Sequence, residues 1–70
     1  MEKITLRAAR INAGLTQEQA AAIGKVNPAT ISRWESGKAI PDGFQLIGMA
    51  FVYGIGVDDI IMPEPLAASE

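Results

Sequence analysis

The sequence predicts an all-α fold, a compact bundle of five helices, and three kinds of observation predict it. Apolar residues recur at three- and four-residue spacing, helix-capping residues precede each apolar run, and glycines close the runs where a helix must stop. Every apolar run is assigned to a helix, and no strand is expected. The chain has 70 residues, 49% of them hydrophobic. That is one domain's worth, assigned to residues 4–62, with residues 63–70 as a C-terminal tail after Pro63-Glu64-Pro65.

The first helix runs from about Thr5 to Ala13, and Gly14 closes it with a backbone free to turn left-handed. Thr16-Gln17-Glu18-Gln19 has the capping-box pattern and opens a second, alanine-rich helix that Gly24 breaks. Asn27 is a strong N-cap and Pro28 is pre-set for a first helical position, so a third helix spans Pro28 to Glu35, with Ile31 and Trp34 three apart on its inner face. Asp42 caps a fourth helix, Gly43 to Tyr53, with Gln45 three residues on, and Gly54 ends it. A fifth, of one or two turns, is expected over Val57 to Met62.

Composition excludes several functions. Without cysteine there are no disulfides or thiolate metal sites, and without histidine the commonest general base and metal ligand is missing. An enzyme, a cofactor and a small-molecule substrate are not expected. The spacing of Asp42, Asp58, Asp59 and Glu64 lacks the alternating oxygen ligands of a calcium loop, so no metal is expected either. The apolar stretches are too short to span a membrane, and Met1 to Arg10 lacks the apolar core of a signal peptide, which points to the cytoplasm.

The net charge of −2 is unevenly placed. All six basic residues, Lys3, Arg7, Arg10, Lys25, Arg33 and Lys38, fall in the first 38 positions, against three acids, Glu2, Glu18 and Glu35. The remainder holds five acids and no base. A basic half can face phosphate while the acidic half faces away.

Two short helices meeting across Gly24-Lys25-Val26 form a helix-turn-helix, whose second helix can enter the major groove of DNA. With Leu6-Arg7 and Arg10, then Ala13-Gly14-Leu15-Thr16-Gln17, Ala21, Thr30-Ile31-Ser32-Arg33-Trp34-Glu35, Ser36-Gly37-Lys38, Pro41, Gly54-Ile55 and Asp58-Asp59-Ile60-Ile61, the sequence resembles the phage repressor and Cro-type helix-turn-helix family over about residues 4–62. The resemblance implies a λ-repressor-like fold and a Cro-type transcriptional repressor that binds double-stranded DNA as a homodimer on a symmetric operator. It implies a phosphate contact at Gln17, and DNA-facing positions at Asn27, Pro28, Ala29, Ser32 and Arg33. It places phosphate contacts around Lys38, and a structural ion pair between Arg10 and Glu35.

Read on their own chemistry, Arg33 suits guanine or phosphate, Thr30 and Ser32 offer hydroxyls, Ala29 suits a thymine methyl, and Lys25 suits phosphate. Asn27 is explained equally by its cap. The family usually has a large aliphatic at position 24 and glycine at 25. Gly24 here predicts a core gap that a shift of Ile23 fills. Lys25 must either adopt the left-handed turn or move the turn back one residue.

Helix four is apolar all round. Leu46, Met49, Ala50 and Tyr53 are assigned to the core, and Phe44, Ile47, Gly48 and Phe51 to a dimer interface. The competing reading keeps the fold as a protein-interaction or antitoxin-like module with weak or no DNA binding of its own.

Overall fold

The computed structural model describes residues 3–62, so the tail assigned to 63–70 lies outside the described residues. The element order is β1 (Ile4–Thr5), α1 (Leu6–Asn12), α2 (Gln17–Gly24), α3 (Pro28–Ser36), α4 (Gly43–Tyr53), a 3-10 turn (Val57–Asp59) and β2 (Ile60–Ile61). Four α-helices replace the five expected, and a strand pair appears where none was expected. Gly56 precedes the 3-10 turn and makes no side-chain cap. A helix this short cannot offset its nucleation cost without packing or caps. The two β-branched isoleucines that follow favour extended backbone, as does Met62 ahead of Pro63. β2 pairs in parallel with β1, Ile4 opposite Ile60 and Thr5 opposite Ile61, which ties the last described segment to the first.

The helix starts follow from local chemistry. Thr16 Oγ1 accepts the Gln19 amide at 3.0 Å, and Gln19 Oε1 accepts the Thr16 amide at 2.9 Å. Asp42 and Gln45 repeat this reciprocal cap at 2.8 and 2.9 Å. Each cap satisfies two N–H groups that have no partner inside the helix. Thr5 caps α1 through Ala8, so the helix proper begins one residue later than expected.

The core gathers Leu6 and Ala9 of α1, Ala20 and Ala21 of α2, Ile31 and Trp34 of α3, and Met49, Ala50 and Tyr53 of α4, closed by Ile60. Leu46 is half-buried against it. The alanines at 20 and 21 are almost wholly buried and let α2 lie close to α3. No helix is long and apolar enough to cross a membrane among the described residues.

The expected gap at Gly24 is filled by Met49 rather than Ile23. A β-carbon at Gly24 would stand 3.0 Å from Met49 Sδ, whereas Ile23 points out and is 57% exposed. The unbranched thioether reaches across from α4 and packs where a large aliphatic would otherwise stand.

Candidate nucleic-acid interface

The turn between α2 and α3 decides how the two helices present themselves. Lys25 takes the left-handed conformation, φ 59° and ψ 43°, and is the described non-glycine residue with positive φ. Its amide donates to Ala21 O, as does the Val26 amide at 3.0 Å, so the last turn of α2 is closed rather than displaced. The turn thus keeps the left-handed residue at position 25. A lysine there costs about 1–2 kcal/mol relative to a right-handed conformation. Its side chain is exposed at the junction of the two helices.

α3 divides into two faces. Ile31 and Trp34 point into the core, while Pro28, Ala29, Ser32 and Arg33 are exposed and Thr30 is half-buried. Asn27 Oδ1 accepts the Ala29 amide at 2.8 Å, which commits that oxygen to the cap and leaves the amide N–H groups for a ligand. Arg33 has no acid within ion-pair distance among the described residues. Lys38 is exposed just past Gly37, its amide bonded to Arg33 O at 3.0 Å. The exposed face therefore carries a free guanidinium, hydroxyls and an apolar patch in a helix narrow enough for a major groove.

Beneath this face lies a polar lock. Arg10 Nε donates to Glu35 Oε2 at 2.7 Å and Nη2 donates to Oε1 at 3.2 Å, while Nη1 donates to Leu15 O at 2.8 Å. Both side chains are nearly buried, 11% and 6% exposed. The hydrogen bond to Glu35 raises the Arg10 pKa against the opposing cost of burial. The pair joins α1 to the end of α3 and fixes α3 on its support.

Gln17 is also drawn in, its Nε2 donating to Glu35 Oε1 at 3.1 Å. One amide hydrogen is thereby committed, and the phosphate contact implied for Gln17 falls to the other. Sequence reasoning did not foresee this bridge, since nothing local to Gln17 points to Glu35.

Two residues outside the expected set complete the surface. Arg7 and Ser36 line a cleft of about 450 Å³ with Arg10, Gln17, Ser32 and Glu35. The signal for Arg7 was its three-residue spacing from Arg10 on α1, which sets both on neighbouring positions of one helix surface. A second cleft of about 470 Å³ continues across Thr16, Glu18, Pro28 and Ala29. Glu18 complements the positive end of α2 but sets a negative charge beside any phosphate entering there.

Phe44, Ile47, Gly48 and Phe51 are all exposed on α4. Phe44 and Phe51 are 90% and 87% exposed, the most exposed large hydrophobic residues described. Ile55, one turn further on, packs against the core. Tyr53, on the inner face, has its phenol pushed up to about 12 by burial, with the Glu35 charge adding to the effect and Arg10 opposing it. Among the described residues no three acidic or metal-ligating side chains gather as a metal site.

A helix-turn-helix family model matches residues 6–60, from the start of α1 to the first residue of β2. No curated protein matches the chain.

Proposed function

The chain belongs to the phage repressor and Cro-type helix-turn-helix family, whose members are DNA-binding regulatory domains, and on that premise we propose that it binds double-stranded DNA in a sequence-specific way as a Cro-type transcriptional repressor. The observation that carries this reading is the exposed face of α3. It presents Ser32 and an Arg33 without an acidic partner among the described residues on a helix whose inner face and C-terminal end are held by Ile31, Trp34 and the Arg10–Glu35 pair. Gln17, Lys25, Asn27, Pro28, Ala29, Thr30 and Lys38 surround that face as backbone or base contacts. Phosphate contacts from Lys25 and Lys38 supply affinity, and Arg33 supplies base preference.

One such domain reaches few phosphates, so a homodimer on a symmetric operator follows, with two recognition helices about 34 Å apart. The α4 face of Phe44, Ile47, Gly48 and Phe51 is the proposed contact between the copies. An exposed apolar strip is what monomers avoid, and a strip of this kind is self-complementary about a two-fold axis.

The test is fluorescence anisotropy with duplexes spanning the DNA flanking the chain's own gene, at several salt concentrations. A salt-sensitive affinity with preference for one palindromic segment is expected. The chain's overall acidity and the non-polar Pro28-Ala29 pair favour a second reading, the protein-interaction or antitoxin-like module. That reading is supported instead by salt-insensitive or absent binding to every duplex.

A further inference from the structure

The exposed α4 face does not stand alone. It forms one wall of an apolar groove of about 380 Å³ whose opposite wall is the end of α2 and the turn, with Ile23, Gly24 and Val26 facing Phe44, Gly48 and Phe51. None of the lining side chains is charged, although eight acids and six bases lie elsewhere in the chain. We propose that this groove is a socket for a phenylalanine ring of a second copy of this chain, so that each copy inserts Phe51 between the partner's α2 end and α4, over Gly48. The proposal rests on the homodimer reading above and adds to it the α2 wall and the role of Gly48.

Three features favour a second copy as the occupant. The face that holds the socket also holds the exposed rings that fit it, as a two-fold interface requires. A socket without charge selects an apolar occupant and rejects a charged peptide, whose charge would be stranded without a partner. Gly48 adds a floor of backbone at the centre of the helix, and a β-carbon there would meet nothing within 4 Å in the single chain. Nothing among the described residues of one copy therefore calls for glycine at that position, where an α-helix is weakened by it.

The size of the contact sets its strength. An aromatic side chain buries roughly 150–250 Å², so Phe44 and Phe51 contribute roughly 300–500 Å² per copy, below the roughly 800 Å² per partner of a standard stable interface. Half-exposed Ile23 and Ile47 add to this without doubling it. The dimer is accordingly weak in solution, and two adjacent half-sites on DNA bring it together.

Gly48→Leu tests the socket directly. The leucine finds open space in the single chain, so thermal stability at low protein concentration stays level or rises, while the partner's ring is blocked. Sedimentation of the full chain from micromolar to millimolar concentration is expected to show a dimer whose dissociation constant rises roughly tenfold or more in the variant. In a mixture of labelled and unlabelled wild-type chains, a nuclear Overhauser contact between the Phe51 ring of one copy and the Ile23 methyls of the other is expected.

Unchanged association in Gly48→Leu, with Phe51→Glu still disrupting the dimer, overturns the socket and leaves a homodimer through the outer α4 face. A chain that stays monomeric at millimolar concentration overturns both. A contact from Leu66 of the same chain to Ile23, in place of the intermolecular one, overturns the socket by giving the groove an internal occupant.

Discussion

Arg10 and Glu35 stand 2.7 Å apart, and through that contact α1 fixes the last turn of α3. Each guanidinium nitrogen of the arginine donates one bond, to both carboxylate oxygens and to Leu15 O, and Glu35 also receives the Gln17 amide. Removing one partner leaves the other as a nearly buried charge without compensation. Arg10→Met or Glu35→Gln should each lower stability by about 3 kcal/mol, and the coupling in a double-mutant cycle should exceed the roughly 0.2–1 kcal/mol of exposed pairs. Urea denaturation of the three variants measures both. A coupling near zero would make the pair an incidental contact.

The helix starts were legible because their signals are local. Thr16 with Gln19 and Asp42 with Gln45 satisfy orphan amides reciprocally, and Asn27 caps the Ala29 amide while Pro28 brings none of its own, whatever the rest of the chain does. Features that depend on distant partners were not legible. The β1–β2 pair is two residues a side and joins opposite ends of the domain; Lys3 to Ala8 does alternate polar and apolar, but the same stretch also opens a helix, and only pairing with Ile60 and Ile61 makes Ile4–Thr5 a strand. Met49 filling the space at Gly24 depends on how α4 crosses α2, and Gln17 reaching Glu35 depends on where α3 ends. The candidate surface around α3 was legible only in part. Pattern and resemblance named Arg33 and Lys38, but Arg7 enters the surface through the packing of α1 beside α3.

Lys25 places strain and charge in one residue. Lys25→Gly removes the cost of a side chain in the left-handed region, offset in part by the greater freedom of glycine when unfolded, for a net gain of about 1 kcal/mol. The same change removes a cation beside the recognition helix and should weaken DNA binding two- to tenfold while reducing its salt dependence, roughly one counterion's worth. Thermal melts and anisotropy should therefore move in opposite directions. A variant that binds DNA as tightly as wild type would remove Lys25 from the interface.

Tyr53 predicts an alkaline limit to stability. Its folded pKa is raised to about 12 from the ordinary 10.0, so above pH 10 the unfolded chain gives up its phenol proton while the folded chain keeps it. The unfolded state then binds fewer protons, and stability falls as pH rises from 10 towards 12. The loss attributable to this group is on the order of 2 kcal/mol. Tyr53→Phe keeps the ring and removes the titration, so the slope of stability between pH 10 and 12 should be shallower in the variant. Equal slopes would place the alkaline transition in other groups.

Arg33 and Lys38 should separate preference from affinity. Arg33 is exposed on the outer face of α3 without an acidic partner among the described residues, so its guanidinium is available for a guanine edge under the proposed function. Arg33→Ala should cost about 1–3 kcal/mol on the preferred duplex and flatten discrimination at one base pair. Lys38 lies beyond the Gly37 cap, past the end of α3, and is proposed to meet phosphate. Lys38→Ala should weaken every duplex alike and shallow the slope of log affinity against log salt by about one. Binding measured for both variants on single-base substitutions of the preferred site, at three salt concentrations, separates the two effects. If Arg33→Ala changes neither affinity nor base preference, α3 is not the reading helix. The exposed face would then have to act on a protein partner, since the Arg10–Glu35 lock would still hold it in place.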